Sequence, residues 1–316
     1  MRAVRVLFLA PMIAVLGIAV SNTVIAAEAP QTPEVVATIP SPAFTENISE
    51  DADGTIYVTG MLESNLWKIS PDGEVERFAH VDPYAAVLGV AAVAEGIVVG
   101  AFRRDFRTPN GYDFSNAGPE ILLLDKATGE IMAAVPGQNG QLFNGMVADE
   151  RGNALVVDSL SASVWQFDPK ARTLTLWLRD DELVSSEPSA RSANGIKVSG
   201  DHVYIANSEK RSIYRVGIDA DGKPQGPLIL FAKDLPHVDD FAVASDGTIF
   251  LPPTGQTNPG PLYRVPPGGA ASTHALGPSG ASALVSHDDK WVYWPSNSGM
   301  SPTTTDTQKL LRVPTR

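Results

Sequence analysis

Six copies of one short phrase run through this sequence of 316 residues. Each copy ends in a polar turn and leads into a segment of alternating apolar residues, as in ENISEDADG at 46–54 followed by TIYVTG. The other copies begin at residues 88, 144, 194, 239 and 282. They recur at intervals of about 40 to 50 residues, a spacing typical of propellers and other repeat folds.

Each phrase predicts a short inner strand, a tight turn and a second strand with the period-two alternation of a β-strand. A third strand follows each time, as in LWKISPDG from residue 66 and ILLLDKATG from residue 121, and usually a fourth follows it. No four-stranded unit can bury both of its faces alone, so the units must pack face to face around an axis. The sequence therefore predicts an all-β, six-bladed β-propeller with four-stranded blades.

The last copy of the repeat has only three strands before Arg316, and an unassigned strand-like segment lies at 34–39. Pairing this segment with the outer edge of the last blade would close the ring and cover two sheet edges. A helical alternative is disfavoured because 25 prolines and 27 glycines are spread along the chain without a sustained 3.6-residue period.

The N-terminal segment has the features of a secretory signal peptide. Arg2 and Arg5 precede an apolar run at 6–20, and small residues follow near position 26. We therefore predict a signal peptide at 1–26, a propeller domain at 27–316, and export to the periplasm or the exterior. An uncleaved membrane anchor is the alternative, whereas cleavage would leave no membrane attachment.

Charge and composition exclude several classes of function. Without Arg2 and Arg5 the basic count falls from 24 to 22 against 36 acidic residues, so the formal net charge moves from −12 to −14. Such a chain repels nucleic acid. Because there is no cysteine, disulfides and thiolate metal sites are excluded, and any metal must be held by oxygen or imidazole. Oxygen ligands favour calcium, magnesium or manganese.

The first residues of the six phrases are predicted to form a ring at one end of the central channel. They are Glu46, Leu88, Asn144, Asn194, Asp239 and Ser282. Five carry oxygen, and polar groups in a narrow channel are costly unless a partner satisfies them. A hard divalent cation is one such partner, with two carboxylates and two amides as donors. Channel water is the other.

The long connections all fall on the predicted ring's face, whereas the turns on the other face are short. The long connections are 101–120, 178–193, 251–261 and 295–309. Loops that crowd one face of a repeat protein usually form its binding surface. A small-molecule pocket over the ring is therefore expected.

These residues resemble the gluconolactonase, senescence-marker-protein (regucalcin) and paraoxonase group of six-bladed calcium propellers, and the resemblance covers all blades. It implies calcium ligands at Glu46 of ENI, Asn194 of ANGI and Asp239 of VDDF. It implies a substrate or water-mediated metal contact at Asn144 of LFNG. The implied activity is metal-dependent hydrolysis of a lactone or ester.

The chain also departs from that family. Leu142 stands where the sugar-lactone enzymes have a substrate arginine, and no counterpart of the paraoxonase histidine dyad is found. Asp239 and His237 are the candidate general bases, since an alternating strand would place both on one face. In the long loop of the second blade, Arg103, Arg104 and Tyr112 are candidates for holding a substrate.

A function of another class stays open, namely a non-catalytic propeller that binds a ligand or partner protein through its long-loop face. Leu88 and Leu142 favour this alternative because apolar residues near the mouth of the channel suit an apolar ligand or a channel closed by side chains. The sequence determines neither the natural substrate nor the oligomeric state.

Overall fold

The computed structural model describes residues 29–40, 44–109, 111–185, 192–254, 259–297 and 307–316. These residues form six four-stranded antiparallel sheets, which confirms the predicted propeller. No helix in these ranges is long and apolar enough to cross a bilayer. The predicted signal peptide at 1–26 lies outside the described residues.

The strands follow the repeat in chain order. Strand β1 (Glu34–Ile39) comes first. The first blade contains β2 (Thr45–Glu50), β3 (Ile56–Gly60), β4 (Asn65–Ile69) and β5 (Val75–His80). The second contains β6 (Ala86–Val93) and β7 (Gly96–Phe102), then an inserted hairpin of β8 (Arg107–Thr108) and β9 (Gly111–Tyr112), then β10 (Pro119–Leu124) and β11 (Ile131–Pro136). The third contains β12 (Phe143–Ala148), β13 (Ala154–Asp158), β14 (Ser163–Asp168) and β15 (Thr173–Arg179).

The remaining three blades have the same plan. The fourth contains β16 (Ala193–Ser199), β17 (His202–Asn207), β18 (Ser212–Ile218) and β19 (Pro224–Ala232). The fifth contains β20 (Ala242–Val243), β21 (Ile249–Leu251), β22 (Gly260–Val265) and β23 (Ser272–Gly277). The sixth contains β24 (Leu284–Val285), β25 (Trp291–Pro295) and β26 (Gln308–Pro314). Short 3₁₀ turns lie at Met61–Glu63 and Asp181–Leu183.

Strand β1 completes the sixth blade and closes the ring as predicted. It pairs antiparallel with β26, from Glu34 opposite Arg312 to Ile39 opposite Gln308. Arg312 also forms a bidentate ion pair with Glu34 at 2.9 and 3.1 Å. The first and last strands are thereby held in one sheet, which removes an exposed edge from each.

The described residues form seven apolar core clusters, six of which lie one at each interface between adjacent blades. Between the sixth and first blades, for example, Ile39 and Leu310 pack with Val58 and Ile69, and all four are fully buried. This packing explains why alternating residues of nearly every strand are apolar, because each sheet buries one face against the preceding blade and one against the next.

Candidate functional site

The innermost strand of each of the first four blades has the same β-bulge. In the first blade Thr45 pairs with Gly60 and Ile48 with Val58, so three steps along β2 oppose two steps along β3. Strands β6, β12 and β16 shift register at the equivalent place. The residues within the bulges are Glu46–Asn47, Leu88–Gly89, Asn144–Gly145 and Asn194–Gly195. Four ring positions therefore share one local backbone geometry. Bulges redirect side chains and often lie beside active sites.

Glycines in these bulges allow the inner strands to touch. Three bulges end in glycine, namely Gly89, Gly145 and Gly195. A Cβ on Gly89 would lie 2.2 Å from the carbonyl oxygen of Asn144, and one on Gly145 would lie 2.3 Å from that of Asn194. No side chain fits at such distances without displacing the neighbouring backbone. The glycines therefore keep the ring residues of adjacent blades in contact.

The turn after the inner strand is one residue longer in the sixth blade than in the fifth. In the fifth blade the Ala244 amide donates to the Thr248 carbonyl, whereas in the sixth the Ser286 amide donates to the Trp291 carbonyl. The repeat in the sixth blade is consequently shifted by one residue relative to an alignment that assumes equal turns.

The prediction that Ser282 belongs to the ring is wrong by one residue for this reason. The Gly195 amide donates to the Asp239 carbonyl and the Asp240 amide to the Ala281 carbonyl, both at 3.1 Å, so Ala281 occupies the ring position. Ser282 corresponds instead to Asp240. The ring thus has four oxygen-bearing side chains, those of Glu46, Asn144, Asn194 and Asp239.

Two of the predicted metal ligands are in direct contact. The Nδ2 atom of Asn194 donates one hydrogen bond to Oδ1 of Asp239 and another to Oγ of Ser208, the latter at 3.1 Å. Glu46, Asn144 and Asn194 are buried, and Asp239 is partly exposed at the mouth. Two residues separated by 45 positions in sequence therefore share one site.

Three buried polar atoms next to the ring have no hydrogen-bond partner among the described residues. They are Nδ2 of Asn144, Oδ1 of Asn47 and Oδ1 of Asp240. Such groups are costly and rare, and an ion or water molecule commonly satisfies them. An amide such as that of Asn144 can also turn to present its oxygen.

The donor set fits a hard divalent cation, with carboxylates from Glu46 and Asp239 and amide oxygens from Asn144 and Asn194. Within the described ranges, no three His, Asp or Glu side chains are grouped to hold a metal. The amides would therefore have to supply part of the coordination.

Solved structures share this architecture over most of the chain. A luciferin-regenerating enzyme has a TM-score of 0.60 at 15% identity and covers 89% of this chain and 94% of its own. A calcium-binding protein, regucalcin, from Agrobacterium tumefaciens has a TM-score of 0.61 at 16% identity, with 89% and 94% covered. A gluconolactonase from Xanthomonas campestris has a TM-score of 0.59 at 16% identity, with 88% of each chain covered.

The fold is that of the regucalcin and gluconolactonase propellers. The resemblance expected from the sequence is thereby confirmed for the architecture. No protein-family model matches the chain, and no curated protein sequence does.

The propeller also contains a buried ion pair below the ring that was not expected from the sequence. Nζ of Lys197 lies 2.5 Å from Oδ2 of Asp240, and Oγ of Ser282 donates to the same oxygen. Both charged residues are more than nine-tenths buried. Lys197 interrupts an apolar inner strand, and Asp240 replaces the glycine of three other blades, so the sequence did contain a signal.

His237 does not share a strand with Asp239. Residues 237–241 form no strand, and β20 begins only at Ala242, because backbone groups here bond to the neighbouring blades. The expectation that an alternating strand places both on one face is therefore wrong. His237 is exposed, and its proposed role as a base stays a prediction.

Arg103 is engaged by its own blade. Its guanidinium forms a bidentate pair with the buried Glu120 and lies over the ring of Tyr84, with 5.0 Å from Cζ to the ring centroid. The Tyr84 hydroxyl also donates to Glu120 at 2.5 Å. Arg104 donates to the side chain and backbone of Asn116. A substrate would have to compete with these contacts.

Tyr112 belongs to an aromatic group in the inserted loop of the second blade. Its ring centroid lies 5.8 Å from that of Phe106 and 6.1 Å from that of Phe114. The apolar cluster beneath this loop contains Phe44, Met61, Ala86, Leu88, Phe102, Phe106, Ala117 and Leu142. Leu88 and Leu142 are thus covered by the chain itself rather than presented as an open apolar surface.

A cavity of about 190 Å³ lies at the opposite end of the channel. It is lined by the later residues of the inner strands, including Ile48, Met146, Lys197 and Leu284, with Glu50 at its side. No ring residue lines it. The pocket expected over the ring stays a prediction, because 186–191, 255–258 and 298–306 in the long loops lie outside the described residues.

Proposed function

We propose that this protein is a calcium-dependent hydrolase of small lactones or esters that acts at the ring end of its channel. The observation that carries the proposal is the Asn194–Asp239 contact within a ring where four blades share the same bulge. The likeness to a calcium-binding regucalcin and to a gluconolactonase supports it.

Glu46, Asn194 and Asp239 are the proposed ligands, with Asn144 as a further donor or substrate contact. A bound divalent cation would supply a Lewis acid that polarises the substrate carbonyl and stabilises negative charge on its oxygen. The partly exposed carboxylate of Asp239 is the proposed acceptor of a proton from the attacking water. The Asn194 amide, which donates to Oδ1, fixes the orientation of that carboxylate.

Turnover of aliphatic, aromatic and sugar lactones, with calcium and with EDTA, tests the proposal. We expect calcium-dependent hydrolysis that Asp239→Ala reduces roughly 100-fold or more, the scale of a lost general base. His237→Ala tests the second candidate base. Asp221→Ala removes an exposed carboxylate from a turn on the far face, the face of the propeller opposite the ring, and should leave the rate unchanged.

The same experiment separates the binding alternative. Stabilisation by calcium without turnover of any compound in the panel would favour a non-catalytic propeller. Absence of both would refute the metal site itself.

We also propose that residues 1–26 direct export and are then removed. Amino-terminal sequencing of protein from the periplasmic or culture fraction should begin near Ala27. Recovery of intact chain in the membrane fraction would instead identify an anchor.

A further inference from the structure

The residue that directly follows the ring position differs between blades in a way that changes the charge next to the ring. It is glycine in the second, third and fourth blades, asparagine in the first and serine in the sixth, but aspartate in the fifth. Asp240 therefore places a third carboxylate beside the ring carboxylates of Glu46 and Asp239. It is 4% exposed, so bulk solvent screens little of its charge.

Lys197 from the fourth blade compensates that charge. Its Nζ lies 2.5 Å from Oδ2 of Asp240 and 5.7 Å from the ring centroid of Phe241, and the residue is only 8% exposed. Ser282 from the sixth blade donates to the same oxygen. Three blades thus meet at one carboxylate oxygen.

The other oxygen of Asp240 is left without a hydrogen-bond partner among the described residues. It packs against the backbone of Gly195, where a Cβ would lie only 2.1 Å away. Gly195 directly follows Asn194, so this oxygen lies one residue from a proposed ligand. A change in the charge of the pair should alter the electrostatic potential at the ring, because the region between them is buried and screens charge poorly.

We propose that Lys197 determines the ion charge accepted by the ring. This inference rests on the proposed metal site. Three carboxylates with one ammonium leave a net charge of two negative units, which matches a divalent cation. Without the ammonium the same carboxylates would favour a trivalent ion.

The test measures Ca²⁺ and Tb³⁺ dissociation constants by calorimetry and terbium luminescence for wild type, Lys197→Met, Asp240→Asn and the double variant. In Lys197→Met, the preference for Tb³⁺ over Ca²⁺ should rise at least about tenfold. In Asp240→Asn the uncompensated ammonium should weaken Ca²⁺ binding by a similar factor. The double variant should return close to wild type.

Lys126→Met is the matched control. Lys126 forms a bidentate pair with Asp51 across the first and second blades at 2.6 and 2.8 Å, at the far face. Its replacement should leave both dissociation constants unchanged.

Lys197→Met leaves a buried carboxylate uncompensated, a change that can prevent folding. In that case Asp240→Asn and the double variant decide the matter. Altered melting temperatures with an unchanged Ca²⁺ to Tb³⁺ preference would show that the pair is only structural and overturn the inference. If wild type binds neither ion, the proposed function fails first and the inference with it.

Discussion

At the scale of single residues, the site depends on an amide that orients a carboxylate. Asn194 donates to Asp239 through Nδ2, and an amide can ligate a cation only through its oxygen, so one side chain can fulfil both tasks. An ionised carboxylate could not do so, because it has oxygens that accept and no hydrogen to donate. This explains why an asparagine suits that position better than a third acid.

Asn194→Ala is expected to weaken calcium binding at least about tenfold and to lower the free energy of unfolding of the apo protein by about 1–3 kcal/mol. Calorimetry and denaturant melts measure the two effects. Asn153→Ala is the matched control, because Nδ2 of Asn153 donates to Asp149 at 3.0 Å in a far-face turn. Equal losses of calcium affinity in both variants would refute a specific role for Asn194.

Glu63, in the 3₁₀ turn that follows β3, should make the stability of the fold depend on pH. Burial raises its pKa above the ordinary 4.5, although the Phe44 amide and the charge of Arg107 oppose the shift. The folded state therefore binds this proton more tightly than the unfolded state does. Protonated Glu63 thus favours the folded state, and this contribution is complete below pH 4.5 and is lost as the pH rises through the raised pKa.

Glu63→Gln keeps an acceptor for the Phe44 amide but never ionises. We expect the variant to melt above wild type at pH 7 and to lose that advantage near pH 4. The exposed Glu130→Gln serves as the control. A variant that melts below wild type at pH 7 would show that the carboxylate stabilises the fold.

At the scale of secondary-structure elements, the repeated bulge places the functional residues. The extra residue in β2, β6, β12 and β16 comes at the end where each strand enters the channel. In β6, β12 and β16 the glycine that follows lets the next blade approach to contact. Position in the fold, more than residue type, thus makes a common Asn-Gly dipeptide functional.

Gly145→Ala tests this arrangement. Its Cβ would lie 2.3 Å from the Asn194 carbonyl oxygen, so we expect a loss of about 1–3 kcal/mol in the free energy of unfolding together with weaker calcium binding. Gly60→Ala is the control, since its closest contact, Nε1 of Trp67, lies at 3.3 Å. Unchanged calcium affinity in Gly145→Ala would contradict the coupling between bulge packing and site.

Much of the fold and part of the ring could be predicted from the repeat, because strand alternation and turn residues are local signals. The blades, the closing strand at 34–39 and the convergence of Asn194 with Asp239 followed from it. The register of the sixth blade did not, since one extra residue between Ser286 and Trp291 shifts Ser282 away from the ring. The Lys197–Asp240 pair was missed because neither residue occupies a ring position of the repeat, and only Lys197 in an apolar strand and Asp240 in place of glycine marked it.

At the scale of the whole molecule, closure by β1 holds the inner strands in a ring. Ile39 is fully buried between the last and first blades, and Arg312 pairs with Glu34 across the closing strands. Strain or opening at this seam would move the first blade, and with it Glu46, relative to the remaining donors.

In a truncated protein that begins at Ser41, the free energy of unfolding should fall by roughly 3 kcal/mol or more, the scale of losing a buried aliphatic side chain. This protein should also self-associate through the uncovered edge of β26. Thermal melts and light scattering measure these effects. A protein that begins at Pro33 retains β1 and is the control. An unchanged melt and mass for the shorter protein would mean that β1 does not close the ring.

The most direct measurement is the calcium anomalous signal from a crystal grown with calcium. We predict one peak at the ring end of the channel, about 2.3–2.6 Å from oxygens of Glu46, Asn194 and Asp239. A ring without a peak at millimolar calcium, or these three side chains held too far apart to share an ion, would contradict the account.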